Sequence, residues 1–222
     1  MLFSSWKVLI FLPIVALAWA SGLCRAEGVT LDQVLEMSSK KYKEIEGFSS
    51  KFKQVVEIPL LAKRKEFRGE LNYRSPNLLR LDYDIPEGGY ILCDGNYFYI
   101  YLPDVDSTRV MKTFLEADPR SFLTEFFLDE ARENYDAALV DSDDDDHHLT
   151  FIPKENRAEL LRVDVRIARE NGLVMDISYT DPSGSTTSYF LEDLKIQAEA
   201  KERFRFTLPE GVELLDLTSD PY

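Results

Sequence analysis

The first apolar pattern of the chain is helical. Thr30 and Gln33 have the Thr-x-x-Gln spacing of a capping box, which favours a helix that begins just after Thr30. Gly47 is expected to end this helix. The apolar residues that follow the cap recur at helical spacing and comprise Leu31, Val34, Leu35, Tyr42 and Ile45.

From Phe48 onward, apolar and charged residues alternate, as they do in strands that bury one face. The dipeptides Asp94-Gly95, Asn171-Gly172 and Ser183-Gly184 separate such segments, and Asp-Gly favours a two-residue type I′ hairpin turn. A last strand is expected at residues 204–208. The sequence therefore predicts a mainly β (α+β) domain, a meander of about ten strands typical of an antiparallel sandwich or barrel.

A second helix is predicted in the middle of this meander. Asp118 is a suitable N-cap and Pro119 a suitable first-turn residue. On the residues alone, this helix is expected to cover the open side of the sheet as part of the core. Its apolar stripe comprises Phe122, Leu123, Phe126 and Phe127.

The N-terminus has the features of a Sec-type signal peptide. Lys7 precedes the apolar run 8–20, which is too short for a membrane-spanning helix, and small residues follow it. Cleavage is expected after Ala20 or Ala26, so residues 1–26 are assigned to the signal peptide and residues 27–222 to one domain. Leu23 lacks the small size expected before a lipidated cysteine, and a soluble processed chain is predicted.

The charge of the chain narrows the classes of partner. The 222 residues include 26 Lys and Arg against 40 Asp and Glu, for a formal net charge of −14. Nucleic acid and anionic membrane surfaces both require a basic face, so this balance argues against both as partners. The prediction is no nucleic-acid partner.

Motifs for catalysis are missing from the sequence. It contains no Gly-x-Gly and no Gly-x-Ser-x-Gly, which excludes the common phosphate-loop and nucleophile-elbow motifs. His147 and His148 are adjacent, and on a strand they point to opposite faces. Cys93 lies in an apolar segment and is expected to be buried and inert. We therefore predict no cofactor, no metal and no enzymatic activity.

An acidic run occupies residues 141–146. It is expected to form a solvated hairpin tip between strands at 135–140 and 149–152. Binding of Ca²⁺ through its carboxylates is the alternative, although the run lacks the glycine and the distal glutamate of an EF-hand loop.

Several ordered motifs resemble those of the periplasmic outer-membrane lipoprotein carrier (LolA-like) family. After the N-terminal helix comes Phe-x-x-x-Phe-x-Gln at residues 48–54, and then a Gly-x-Leu strand from Gly69 that ends before Pro76. The Asp94-Gly95 hairpin and an aromatic strand at 97–101 follow. The chain closes with Asp-Pro-Ser-Gly at 181–184 and Phe-Arg-Phe-Thr-Leu-Pro-Glu-Gly at 204–211.

The resemblance implies an unclosed antiparallel β-barrel whose concave apolar face holds the acyl chains of lipoproteins under helices. The central helix with Phe122, Leu123, Phe126 and Phe127 would be its lid. The resemblance implies an arginine directly before the proline as a lid latch; here Ser75 holds that position, and Arg74 is the candidate latch one residue earlier. Because a shift of one residue sends a side chain to the opposite face, either a bulge returns Arg74 to the inside or the lid is latched differently. The candidate lining residues are Phe52, Leu71, Tyr73, Leu79, Leu81 and Tyr83.

The implied function is a soluble periplasmic chaperone that carries lipoproteins from the inner to the outer membrane. Its implied partners are acylated lipoproteins, an inner-membrane lipoprotein-releasing ABC transporter and an outer-membrane lipoprotein acceptor, and the protein is expected to be a monomer. Two alternatives stay open: a periplasmic sensor or regulator, and a carrier of another amphiphilic lipid, each built on the same half-barrel.

Overall fold

The computed structural model describes residues 29–85, 87–115, 131–155 and 160–218. The predicted signal peptide and the predicted lid helix with Phe122, Leu123, Phe126 and Phe127 lie outside the described residues. The helices are α1 (Leu31–Glu44) and α2 (Ala131–Asn134). The strands are β1 (Gly47–Ile58), β2 (Lys63–Arg74), β3 (Leu78–Ile85), β4 (Tyr90–Cys93), β5 (Tyr97–Tyr101), β6 (Arg109–Phe114), β7 (Tyr135–Ser142), β8 (Asp146–Pro153), β9 (Arg162–Ala168), β10 (Val174–Thr180), β11 (Thr186–Lys195) and β12 (Glu213–Asp216).

All twelve of these strands form one sheet, in the order β12-β6-β5-β4-β3-β2-β1-β11-β10-β9-β8-β7. Neighbouring strands are antiparallel except β12, which runs parallel to β6. The edge strands β7 and β12 are not paired with each other within the described part of the chain, so the sheet is unclosed. The predicted mainly β, antiparallel, unclosed architecture is confirmed; β6 and β12 were not among the predicted strands.

Helix α1 begins as the capping box predicts. The Thr30 hydroxyl accepts a hydrogen bond from the Gln33 amide, and Oε1 of Gln33 accepts one from the Thr30 amide. Gly47 is not the cap of the helix, because Ile45 is already extended and Gly47 is the first residue of β1. A Cβ at Gly47 would lie 2.4 Å from the Tyr73 carbonyl oxygen and 3.2 Å from Ala198, so glycine is required by close approach of three chain segments.

The sheet has two differently covered faces. The face that contacts α1, here called the inner face, carries one continuous apolar cluster from β1 to β5 and across β8 to β11. The opposite or outer face carries a smaller cluster, Leu92, Tyr99, Val110 and Phe204, against which Phe206 packs. The described helices include none that is long and apolar enough to cross a membrane.

The predicted last strand at 204–208 is wrong. Phe204 ends a 3-10 turn and is buried on the outer face, and the Phe206 ring stacks on Tyr99 at 3.9 Å between ring centroids. Both phenylalanines therefore cover the sheet instead of extending it. The place beside β6 is taken by β12, whose short Glu-Leu-Leu-Asp sequence shows no alternation.

The predicted hairpins are confirmed, but the type I′ turn at Asp94-Gly95 is wrong. Gly95 has a φ of 102°, whereas Asp94 is not among the non-glycine residues with positive φ. Instead, Oδ1 of Asp94 accepts hydrogen bonds from the amides of Asn96 and Tyr97, which closes the turn through the side chain.

The acidic run 141–146 is only partly solvated, contrary to the prediction. Asp143 is exposed, but Asp146 and His147 are buried, because Arg166 forms an ion pair with Asp146 and the Ser142 hydroxyl lies 2.7 Å from Nδ1 of His147. His148 lies on the other face, 3.5 Å from Asp164, as expected for adjacent strand residues. Within the described ranges no three His, Cys, Asp or Glu residues are grouped to hold a metal ion.

Candidate functional site

The six candidate lining residues lie on adjacent strands and on the inner face. In the register of β2 and β3, Leu71 is opposite Leu81, and Tyr73 is opposite Leu79. All six are buried in the same apolar cluster as α1. The structure thus brings them together, and their role in binding acyl chains remains a prediction. They are Phe52 on β1, Leu71 and Tyr73 on β2, and Leu79, Leu81 and Tyr83 on β3.

Phe52 and Tyr83 meet across the strand that separates them. Gly69 on β2 pairs with Phe52 on one side and with Tyr83 on the other. A Cβ at Gly69 would lie 1.9 Å from the Asp82 carbonyl oxygen and 2.9 Å from Cε1 of Phe52. Because glycine leaves this space open, the two rings pack edge to face with centroids 5.2 Å apart. Sequence reasoning placed Gly69 in a strand but missed this role, although a glycine inside a strand often marks a close approach.

A buried polar pair interrupts this aromatic region. The Tyr83 hydroxyl donates a 2.7 Å hydrogen bond to Oε1 of Gln54, and both residues are buried. Gln54 is the glutamine of the Phe-x-x-x-Phe-x-Gln motif. Pairing satisfies the hydroxyl and the carbonyl that would otherwise be desolvated in an apolar setting.

At the opposite end of the strands, α1 is attached to the inner face by aromatic residues. The Phe48 ring contacts the rings of Tyr73 and Tyr42, with centroids 5.4 Å and 6.1 Å away. The Tyr42 hydroxyl accepts a 3.0 Å hydrogen bond from the amide of Val174. This link ties the helix to β10, on the other side of β1 from Tyr73.

Three titratable groups on the inner face have pKa values shifted towards the uncharged form. Burial raises the pKa of Tyr73 to about 12 and raises that of Tyr42 further. Burial, followed by the charge of Arg169, lowers the pKa of His147, whose position in β8 is on the same face as Leu149. A neutral face suits a hydrocarbon ligand, because an unpaired charge beside it would lose its hydration.

Comparison with known proteins places the chain in a family. A family model described as "Outer membrane lipoprotein carrier protein LolA" matches residues 43–207. The chain belongs to this family. The family resemblance predicted from the sequence motifs is thereby confirmed.

Individual LolA relatives match most of the chain. The outer-membrane lipoprotein carrier protein of Pasteurella multocida is 28% identical over 159 residues, which cover 67% of this chain and 70% of that protein. That of Photobacterium profundum is 26% identical over 204 residues, covering 91% and 98%. The solved structure of an uncharacterized conserved protein from Thermus thermophilus has a TM-score of 0.53 and covers 83% of this chain and 98% of that one. At 10% identity, this likeness shows the fold alone.

Arg74 is the residue for which the resemblance predicted a latch, and Ser75 stands between it and Pro76. Arg74 follows Tyr73 on β2, and the β2 register with β1 and β3 is regular from Gly69 to Arg74, so its side chain leaves on the outer face. There its guanidinium donates a 2.6 Å hydrogen bond to the Glu199 carbonyl and forms an ion pair with Glu46. The described contacts thus join the α1–β1 connection to the C-terminal segment. A contact between Arg74 and the predicted lid would involve residues outside the described ranges, and the latch role stays a prediction.

Cys93 lies on the inner face and is buried, as predicted. Its thiol donates to the Asn77 carbonyl at 3.2 Å.

Sequence reasoning missed several further residues that extend the inner face beyond the six candidates. Their signal was present in the alternation of each strand, and they include Ile91, Phe98, Ile100, Ile177, Tyr179 and Tyr189.

Proposed function

We propose that this protein carries lipoproteins by holding their acyl chains on the inner face of the sheet. The observation that carries the proposal is the continuous, uncharged apolar cluster spanning the inner face in a chain that belongs to the LolA family. The relatives are outer-membrane lipoprotein carrier proteins by name, and for this reason we propose lipoproteins as the cargo. In this proposal, the six candidate residues on β1, β2 and β3 line the acyl-chain site.

The physical need for such a container follows from the cargo. An acylated cysteine presents dozens of methylenes, and each costs about 0.8 kcal/mol when exposed to water. A protein that crosses an aqueous compartment with this cargo must cover it. Apolar contact is non-directional, so acyl chains can also leave without breaking a set of polar anchors.

A cover must close the site when no cargo is present, because a large exposed apolar patch leads to association. We assign this part to the predicted lid helix with Phe122, Leu123, Phe126 and Phe127. The proposed route begins at an inner-membrane lipoprotein-releasing ABC transporter, crosses the periplasm and ends at an outer-membrane lipoprotein acceptor. Export by a signal peptide cleaved after Ala20 or Ala26 is part of the same proposal.

The test is mass spectrometry of what accompanies the protein purified from the periplasm of its host. Acylated lipoprotein should co-purify, and Leu81→Glu, which places a carboxylate on the inner face, should abolish this. Phe190→Glu on the outward-facing side of β11 is the matched control and should retain cargo; circular dichroism establishes that both variants are folded. Should Leu81→Glu fail to fold, Leu81→Gln replaces it.

Two results would contradict the proposal. One is equal lipoprotein recovery with the folded inner-face variant and the wild type. The other is an organic extract that contains a different amphiphile and no acylated lipoprotein, which would favour the alternative of a carrier for another lipid.

A further inference from the structure

The tip of the β1–β2 hairpin, residues 58–65, projects from the end of the sheet. β1 and β2 pair as far as Ile58 and Lys63, whereas β3 pairs with β2 only from Arg68 to Arg74 among the described residues. Lys63 to Phe67 therefore extend beyond the β3 ladder. On the side of β3 this overhang is about 17 Å, at about 3.4 Å per strand residue. On the other side β11 pairs with β1 as far as Glu57, so residues 58–63 are the part that extends beyond both neighbouring strands.

The apolar residues at this tip are strongly exposed. Leu60 and Leu61 form a 3-10 turn with Pro59 and are 79% and 60% exposed. Ala62 closes the turn in the left-handed region, with φ 48°, and its amide donates to the Pro59 carbonyl at 3.0 Å. Two adjacent leucines held in water by an ordered turn contribute nothing to the core, which marks the tip as a contact surface.

Other exposed apolar residues lie at the same end of the sheet. β1, β3 and β5 run in the same direction, so the connections that follow them emerge together. Ile85 at the end of β3 is 58% exposed, and Val105 between β5 and β6 is 77% exposed. Lys65 Nζ lies 3.7 Å from Asp104 Oδ2, so the β5–β6 connection is next to the hairpin tip.

The tip concentrates three cations within an acidic chain. Residues 58–65 contain Lys63, Arg64 and Lys65 and no carboxylate, in a chain of net charge −14. Arg64 pairs with Glu57 and Glu66 on the flanking strands, and Lys65 pairs with Asp104 in the β5–β6 connection. These pairs are solvent-exposed and contribute little, so anionic head groups can compete for the cations.

We propose that this tip docks on an anionic lipid surface, with Leu60 and Leu61 inserted among the acyl chains and the three cations at the level of the head groups. Long basic side chains beside buried aliphatic ones are typical of interfacial anchors, in which they extend back to the head groups. Protein-binding hot spots are instead enriched in Trp, Tyr and Arg, with leucine under-represented. The composition of the tip therefore favours lipid over a protein partner.

The overall negative charge of the chain opposes binding to an anionic surface, as the charge balance of the sequence indicates. Docking is therefore restricted to this local basic projection. Two leucines give weak and reversible binding, because even a single myristoyl chain anchors only marginally. This inference does not depend on the proposed carrier function, since neither leucine belongs to the inner-face cluster.

Tryptophan fluorescence tests the insertion directly. The two tryptophans of the chain, Trp6 and Trp19, both lie in the predicted signal peptide, so the processed protein gives signal only from an introduced indole. With Leu60→Trp, emission should shift to the blue on addition of phosphatidylethanolamine–phosphatidylglycerol vesicles, and less with phosphatidylcholine vesicles or at high salt. Ile196→Trp, after β11 at the other end of the sheet and also exposed, is the control and should not shift.

Vesicle sedimentation gives the energetic test. Leu60→Ser with Leu61→Ser should lower the partition coefficient by about tenfold or more. The proposal is overturned if Leu60→Trp emission is unchanged by anionic vesicles, if Ile196→Trp shifts equally, or if the double serine variant sediments like the wild type. Lipoprotein recovery should also be measured with the double serine variant, so that the two proposals are tested separately. If this variant loses vesicle binding but still co-purifies with lipoprotein, the tip acts in docking and not in cargo binding.

Discussion

The hydroxyl of Tyr83 on β3 donates to the side-chain carbonyl of Gln54 on β1, across the intervening strand β2. This polar pair is buried in the apolar inner face. Tyr83→Phe would leave Oε1 of Gln54 desolvated without this donor, and should lower the free energy of unfolding by about 1–3 kcal/mol. Urea denaturation measures the change.

The matched control for this pair removes both polar groups. Gln54→Leu combined with Tyr83→Phe should cost less than Tyr83→Phe alone, since no desolvated carbonyl remains at this position. If the double variant loses as much free energy of unfolding as Tyr83→Phe alone, or more, the hydrogen bond contributes little and packing of the two side chains dominates.

Gly69 is predicted to tolerate no larger side chain. Gly69→Ala would place Cβ 1.9 Å from the Asp82 carbonyl oxygen and should destabilise the fold by about 2 kcal/mol or more, because β2 and β3 must separate. Gly89→Ala is the control: its nearest contact would be 3.4 Å, an ordinary van der Waals distance, and the effect should stay within about 0.5 kcal/mol. Similar melting temperatures for the two variants would contradict the account of how Phe52 meets Tyr83.

Arg74 is expected to stabilise the attachment of the C-terminal segment. Arg74→Ala removes the hydrogen bond to the Glu199 carbonyl and the ion pair with Glu46, and should cost about 1.5–3 kcal/mol. The control Arg64→Ala breaks exposed ion pairs on the hairpin and should cost less than about 1 kcal/mol. Chemical denaturation compares the two, and a smaller loss for Arg74 than for Arg64 would be evidence against this role.

The β12–β6 edge should weaken in acid. Hydrogen bonds from Thr218, followed by Lys112, lower the pKa of Asp216 from its usual 3.8 to about 2. The folded state therefore keeps this carboxylate ionised where the unfolded chain would protonate it, so its contribution is present above pH 3.8 and is lost as pH falls to about 2. Asp216→Asn should melt below the wild type at neutral pH, and the two should converge near pH 2.

Asp144→Asn, in the exposed β7–β8 turn, is the charge control for this comparison. If the difference in melting temperature between the wild type and Asp216→Asn stays constant from neutral pH to pH 2, the carboxylate does not stabilise the edge through its ionised form.

The strands of the inner face could be predicted because burial on one side imposes alternation. Leu71 and Tyr73 alternate with charged or polar neighbours, and a slip of one residue would reverse every side chain. The same rule puts Arg74 on the face opposite Tyr73 unless a bulge intervenes, and the register of β2 has no bulge from Gly69 to Arg74. The capping box at Thr30 was predictable for a different reason, since its hydrogen bonds join residues three apart.

The outer face was less predictable because its cover comes from distant sequence. Phe204 and Phe206 alternate like a strand, yet contacts with Leu92 and Tyr99 determine that they pack on the sheet. Asp146 belongs to a run of aspartates that the sequence predicts to be solvated, but Arg166, twenty residues later, pairs with its carboxylate and allows it to be buried. Local pattern cannot reveal a neutralising partner of this kind.

Photo-cross-linking from the sheet tests the central claim most directly. Benzoylphenylalanine at Phe52 would lie on the inner face, and at Phe190 on the outer face of β11 beside Lys53, so the two probes differ chiefly in which side of the sheet they sample. Irradiation of cells that produce each variant should link Phe52 to the acylated N-termini of lipoproteins and should leave Phe190 without them. Cross-linking of acyl chains from position 190 and none from position 52 would contradict the assignment of the inner face as the acyl-chain site.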